Sequence, residues 1–568
     1  MMNDHGDVTM RTGLIAGGAA ALLLVVAGCT SVGDFFRGYA DGRAEALSRY
    51  DGKSLTPQQH GAVVFRYSDF AALNTDTLES YAAPWRLAAA AIALREVEQH
   101  GGDLSLARVR EAMQRYGFLY PETVGNWPAG VAETPVPLSA PLGMAVGTVR
   151  RDIPNIRLTA GNLTCAACHS GPVYDAAGQP RTDVAWIGTP NTSINLEAYV
   201  LGLYDAFRSI DDEAKLYAAM QTLFPDTTPE EISTIKSYVM PRVRDRMKAI
   251  AAAGGKPLAF VNGAPGTTNG VAALRMQLGT LPADSYETAR GFTSTPDLGS
   301  RGFRSALLYD GAYASVGEPA RRTMRAADVT DAHLHKLANI AAFFTVPSMG
   351  QKPDRAVAAI ADADAVFGFL RDYAPPRFPG TIDKAKAAEG QKIFAANCSA
   401  CHGVYDSSLD HPTLQEFPNW IGKFDTDPVR HQAIDAGSVK AIKASAFGDK
   451  VILRNTGEYA APPLSGLWLS APYLHNGSVP TLWQMMTPAE RPVRFMVGGH
   501  ALDFTAVGIA GATNASGDYV YPAGYKPWST PAMIDTRTPG YGNGGHTAPF
   551  AGLGDAQKRA LIEYLKLL

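Results

Sequence analysis

Lys386-Ala387-Ala388-Glu389-Gly390-Gln391-Lys392-Ile393-Phe394-Ala395-Ala396-Asn397 runs directly into Cys398-Ser399-Ala400-Cys401-His402. The first part spaces its apolar residues along one helical face, and the second is a C-x-x-C-H element. Two thiols three positions apart on a turn reach the two vinyl groups of one porphyrin and form thioethers. The adjacent imidazole then meets the iron from the proximal side. The same element stands earlier as Cys165-Ala166-Ala167-Cys168-His169. From the chain's own Cys and His frequencies, one chance match is expected on the order of one time in a thousand. Two matches therefore predict two covalently bound haem c groups. Zinc would want a finger-like framework, which neither pair shows.

Around the second element the pattern is that of a cytochrome c. Residues 382–396 predict a helix entering the haem, and residues 557–568 predict a closing helix that crosses it. Gly390 would let the two backbones approach, with Phe394 and Tyr564 packed at the crossing.

The rest of the chain sets the frame. With 568 residues it exceeds one ordinary domain of roughly 150 residues. Its 46% hydrophobic and 18% charged residues can build a sizeable core. The 51 basic and 54 acidic residues give a formal charge of −3, so no basic excess is available to follow nucleic acid. With 56 Gly and 38 Pro, many ordered loops between short helices are expected.

Residues 1–29 read as a lipoprotein signal peptide. Residues 13–27 are uncharged and apolar, too short for a bilayer span but right for a signal core. Val26-Ala27-Gly28-Cys29 is similar to the bacterial lipobox, which makes Cys29 the lipidated residue. An exported periplasmic or cell-surface lipoprotein, anchored to the outer membrane, is expected. With Cys29 lipidated and two thiols on each haem, all five cysteines are used.

Three further blocks follow: an N-terminal helical region at 30–150, a first haem c domain at 151–372 and a second at 381–568. Helices are predicted over 81–100, 104–117, 230–253 and 328–344. A Pro-rich break falls at Ala374-Pro375-Pro376-Arg377-Phe378-Pro379-Gly380. Strand signals are few and short. The expected fold is mostly α, with two cytochrome c-type haem domains, long ordered loops and an N-terminal helical extension.

The sixth ligand decides the chemistry, because an iron with two strong protein ligands transfers electrons and an iron with an open face binds O₂ or peroxide. His60, His100, His411 and His431 lie in polar stretches and read as surface or capping residues. His333 and His335 are two apart on a predicted helix, so at most one can point at an iron. His475, His500 and His546 lie in the second haem domain. His546 follows Gly542-Asn543-Gly544-Gly545, a loop able to carry an imidazole to the open face. Met485, Met486 and Met496 are the thioether alternatives.

Ala471-Pro472-Tyr473-Leu474-His475-Asn476-Gly477-Ser478-Val479-Pro480-Thr481-Leu482 resembles a signature of the large dihaem c-type cytochrome superfamily. That group includes bacterial dihaem cytochrome c peroxidases and dihaem rubber oxygenases. Gly188-Thr189-Pro190-Asn191-Thr192, Pro347-Ser348-Met349-Gly350 and Pro488-Ala489-Glu490-Arg491-Pro492 extend the likeness toward the rubber-oxygenase-like branch. The resemblance implies that His402 and His546 are the axial ligands of the second haem. It also implies that the first haem, on His169, is the O₂ site, with a distal face lined by aromatic residues. His475, Asn476 and Gly477 would form an inter-domain signature near the haems. The stretch 270–278 departs from the family, since it holds no aromatic residue.

Two functional readings stand. In one, the protein is a haem-dependent oxidoreductase, dioxygenase-like or peroxidase-like, that takes O₂ or peroxide and a hydrophobic substrate. In the other it is a pure electron-transfer cytochrome with both haems six-coordinate. Both expect redox partner proteins, a membrane held through the lipid anchor, and no nucleic acid.

Overall fold

The computed structural model describes residues 41–74, 82–152, 155–319, 321–348 and 350–568. The signal-like stretch with Cys29, and Met349, lie outside the described residues. The predicted helices form with trimmed ends as Trp85–His100, Leu106–Arg115, Asp331–Ser348, Lys384–Asn397 and Asp555–Leu565. The expected helix at 230–253 is broken. Pro229–Thr234 and Met240–Ala252 flank a π turn at Ile235–Val239. Pro241 has no N–H to give the preceding turn, and the hydrogen-bond ladder widens just ahead of it.

The expectation of a mostly α chain needs correction. Helix accounts for 38% and strand for 15%, a mixed fold. The strands form eight small sheets among the described residues. Nor is the N-terminal region purely helical. Asp41–Ala44, Met144–Arg151, Ile156–Leu163 and Ala83–Pro84 build one antiparallel sheet. Many of the other strands are only two residues long and pair with partners remote in sequence, so no alternating run announces them.

The N-terminal region packs against the block that carries Cys165. Pro57–Tyr67, capped by Thr56, lies along Ile360–Leu370, with Gly61 against the backbone of Ala365. These helices, Asp331–Ser348 and Cys165 share one apolar cluster. A second cluster surrounds the crossing of Lys384–Asn397 with Asp555–Leu565. There Gly390 meets the Ala560 backbone, and Phe394 and Tyr564 pack with ring centres 5.3 Å apart. Such an aromatic pair adds about 1 kcal/mol beyond its buried area.

The two blocks repeat a local fold that the residue identities hide. Ser300 has a left-handed backbone and precedes a 3₁₀ turn at Arg301–Phe303. Gly466 does the same before Leu467–Leu469. Leu308 and Gly311 have positive φ of 66° and 58°, and at the same spacing Leu474 and Gly477 have 68° and 67°. Leu307 pairs with Tyr313 as Tyr473 pairs with Val479. The repeats clasp each other reciprocally. Ser294 N–H donates to the His475 carbonyl, and Ala460 N–H donates to the Tyr309 carbonyl, each at 2.7 Å.

Candidate functional site

Thr164 starts the first C-x-x-C-H turn. Its hydroxyl accepts from Ala166 N–H at 3.2 Å and donates to the Arg66 carbonyl at 3.1 Å. Gly143, at φ 85°, lies where a Cβ would strike the backbone of Ala167. The Gly188–Thr192 stretch then wraps the turn. Gly188 N–H donates to the His169 carbonyl and Asn191 N–H to the Cys168 carbonyl, both at 2.8 Å. The His169 ring is fixed from one side, with Nδ1 3.1 Å from the Pro296 carbonyl. That partner makes Nδ1 the protonated nitrogen and leaves the Nε2 lone pair for a metal.

The second site uses the same device. His402 Nδ1 lies 2.8 Å from the carbonyl of Pro462, the counterpart of Pro296 in the repeat. His546 stands opposite, with ring centres 6.1 Å apart. Two imidazoles bound to one metal through bonds of roughly 2 Å each would put their ring centres about 6 Å apart. Burial drives the pKa of His546 down to about 4 and lowers that of His402. Both rings are therefore held neutral, the form that ligates metals.

The loop carrying His546 is held at four of its carbonyls. His546 itself has φ 52°, and its N–H donates to the Phe424 carbonyl at 2.9 Å. Arg491 donates to the carbonyls of Asn543 at 2.5 Å and Gly545 at 3.0 Å. Asn476 donates to the carbonyls of Gly540 and Gly542, and Ser478 donates again to Gly542. The Asp427 carboxylate accepts from Gly540 and Gly542 N–H, each at 3.0 Å. The His475-Asn476-Gly477-Ser478 signature thus includes two side chains whose visible work is to position the His546 loop.

Between His402 and His546 opens a cavity that communicates with solvent. Its wall includes Cys398, Phe394, Leu561, Met485, Met486 and Phe550, a lining suited to a porphyrin face. The same cavity reaches Pro296, Asp297, Arg301 and Tyr309 of the first block. The peptide that orients His169 therefore also walls the second site. Haem fits this donor set: paired thiols, neutral imidazoles with free Nε2, apolar walls and a buried, unpartnered Thr426 hydroxyl on the rim. Among the described residues no group of three or more His, Cys, Asp or Glu is arranged to hold a metal ion.

Among the described residues, His475 is the one further histidine that lines the same cavity. His475 is buried, with Nε2 2.9 Å from the Tyr459 hydroxyl and its ring stacked on Tyr459 at 4.2 Å. His431, expected at the surface, packs edge-on against the other side of Tyr459 at 5.2 Å. His333 meets the Gly302 carbonyl and His335 meets Asp364, so the two point apart. His500 is buried with neither ring nitrogen hydrogen-bonded. His60 and His100 are exposed. Phe344 of Asp331–Ser348 packs its ring against Gly270 and Tyr313.

Two C-x-x-C-H elements in such settings imply covalent haem c and define a c-type cytochrome, a redox haem protein. Residues 387–463 match the cytochrome c family, and residues 457–496 match the family described as RoxA-like, cytochrome c-like. Together these matches support a RoxA-like c-type cytochrome. Two proteins of Sinorhizobium fredii (strain NBRC 101917 / NGR234) are similar. Uncharacterized protein y4iM is 27% identical over 243 residues, covering 36% of this chain and 54% of that protein. Uncharacterized protein y4iJ is 28% identical over 259 residues, covering 34% of this chain and 41% of that protein. The chain spans about half the length of the curated relatives it matches.

Proposed function

We propose that the protein is a dihaem oxidoreductase with unequal irons. The haem between His402 and His546 relays electrons, and the haem on His169 keeps an open face for O₂ or peroxide. One asymmetry carries this reading. His546 stands 6.1 Å from His402, whereas among the described residues no imidazole ring stands so opposite His169. Haem bound at the two sites would supply one-electron exchange where both faces are ligated and binding of a small oxidant where one face is free. The chain's own residues prepare that difference. The Pro296 and Pro462 carbonyls present each Nε2, and the pinned loop at 540–546 closes only the second site. A hydrophobic substrate and redox partner proteins belong to the same proposal.

Electron paramagnetic resonance on the haem-loaded protein, followed by reduction and CO, tests it. A high-spin ferric signal with CO bound to half the haem is expected. Two low-spin signals and no CO adduct, before and after half-reduction, would instead make the protein a pure electron-transfer cytochrome.

We further propose export with a lipid on Cys29, since lipid on this thiol leaves the other four for haem. Radioactive palmitate should label the chain. A label that persists in Cys29→Ala would defeat the anchor.

A further inference from the structure

Arg301 is surrounded by protein, yet its side chain keeps surface facing the His402–His546 cavity. Its Nε and Nη2 both go to a single acceptor, the Asp297 carbonyl, at 3.1 and 2.5 Å. Nη1 makes no hydrogen bond among the described residues, and no ion pair includes Arg301. Nearby Arg304 is different. It spends Nε, Nη1 and Nη2 on the carbonyls of Ala306, Ala461 and Leu308, and so ties the two blocks together.

A guanidinium enclosed by protein without an anion is unfavourable, because burial weakens its hydration with no counter-charge to offset it. The nearest carboxylate does not answer it. The Asp297 oxygens accept from the Tyr373 hydroxyl at 2.9 Å and Gly299 N–H at 2.7 Å. Burial also pushes the Asp297 pKa up to about 7, which weakens it as a counter-ion. In the internal repeat the position of Arg301 is taken by Leu467, which lines the same cavity. The charge is therefore an addition to one half rather than a requirement of the turn.

We propose that Arg301, from the first block, binds a propionate of the haem seated on His402 in the second block. The inference rests on haem occupying this cavity. A planar fork with a free Nη1 suits a carboxylate. Arg301 lines this cavity together with Pro296, whose carbonyl meets His169 Nδ1 at 3.1 Å, so the cation stands between the two haem sites.

Arg301→Gln and Arg301→Lys test the proposal, with haem counted first by pyridine haemochrome. Failure of the parent chain to hold haem would remove the haem reading itself, separately from the role of Arg301. With both haems present, Arg301→Gln should lower the midpoint potential of the low-spin haem in spectroelectrochemistry. Loss of the cation leaves propionate charge uncompensated and favours the ferric state. The propionate bending mode in resonance Raman should move as well, and Arg301→Lys should fall between. An unmoved potential and band in Arg301→Gln, or a shift confined to the other haem, would overturn the proposal. Should Arg301→Gln fail to load haem, an unmoved propionate band in Arg301→Lys would overturn it equally.

Discussion

A chain carrying Cys165→Ala and Cys168→Ala is expected to hold one covalent haem where the parent holds two, so the pyridine haemochrome yield per chain should halve. Both thiols sit in apolar surroundings that push their pKa up to about 12 and keep them protonated. They are poor free nucleophiles and poor metal ligands in that state, but well placed to add across vinyl groups held against them. The loss should also loosen the first block, because Cys165 lies in the cluster that joins Pro57–Tyr67, Asp331–Ser348 and Ile360–Leu370. The second site should keep its low-spin spectrum, since its thiols and imidazoles come from 398–546. An unchanged count of two haems would end the assignment of the first motif.

How much of this was legible in the sequence depended on whether a function needed particular atoms at fixed spacing. The C-x-x-C-H elements did, and so did the Gly390, Phe394 and Tyr564 crossing, where only a missing side chain lets the helices meet. The strands did not. Residues 144–151 bury Ala145, Gly147 and Val149 on alternate positions, but small residues blur the pattern that larger ones would print. The internal repeat was hidden for the same reason. It is kept in backbone angles, with Ser300 equivalent to Gly466 and Leu308 to Leu474, while only scattered residues are shared.

At the site, the partners of the proximal imidazoles were out of reach. Pro296 and Pro462 act through carbonyl oxygens, which every residue has, so no residue type signals them. His431, read from its polar stretch as a surface or capping residue, is partly exposed, with its ring against Tyr459 beside the buried His475.

His546→Ala should convert the second haem from low-spin to high-spin and add one CO-binding iron per reduced chain. The substitution removes the ring facing His402. Met485 lines the cavity, but Arg491 binds its carbonyl and approaches its sulfur, which holds that side chain in its own place. The loop variants should move the same way by smaller steps. Asn476→Ala loses two hydrogen bonds to buried carbonyls, at a cost of about 1–3 kcal/mol. Arg491→Gln releases the carbonyls on either side of Gly544. Gly545→Ala would drive a Cβ into the Phe424 carbonyl, which is the acceptor that fixes His546 N–H. A graded rise of the high-spin signal through this series, steepest at His546→Ala, is what a ligand on a pinned loop requires. Unaltered spectra in His546→Ala, with both haems retained, would mean that His546 is not an axial ligand and that the neighbouring hydrogen bonds serve the fold alone.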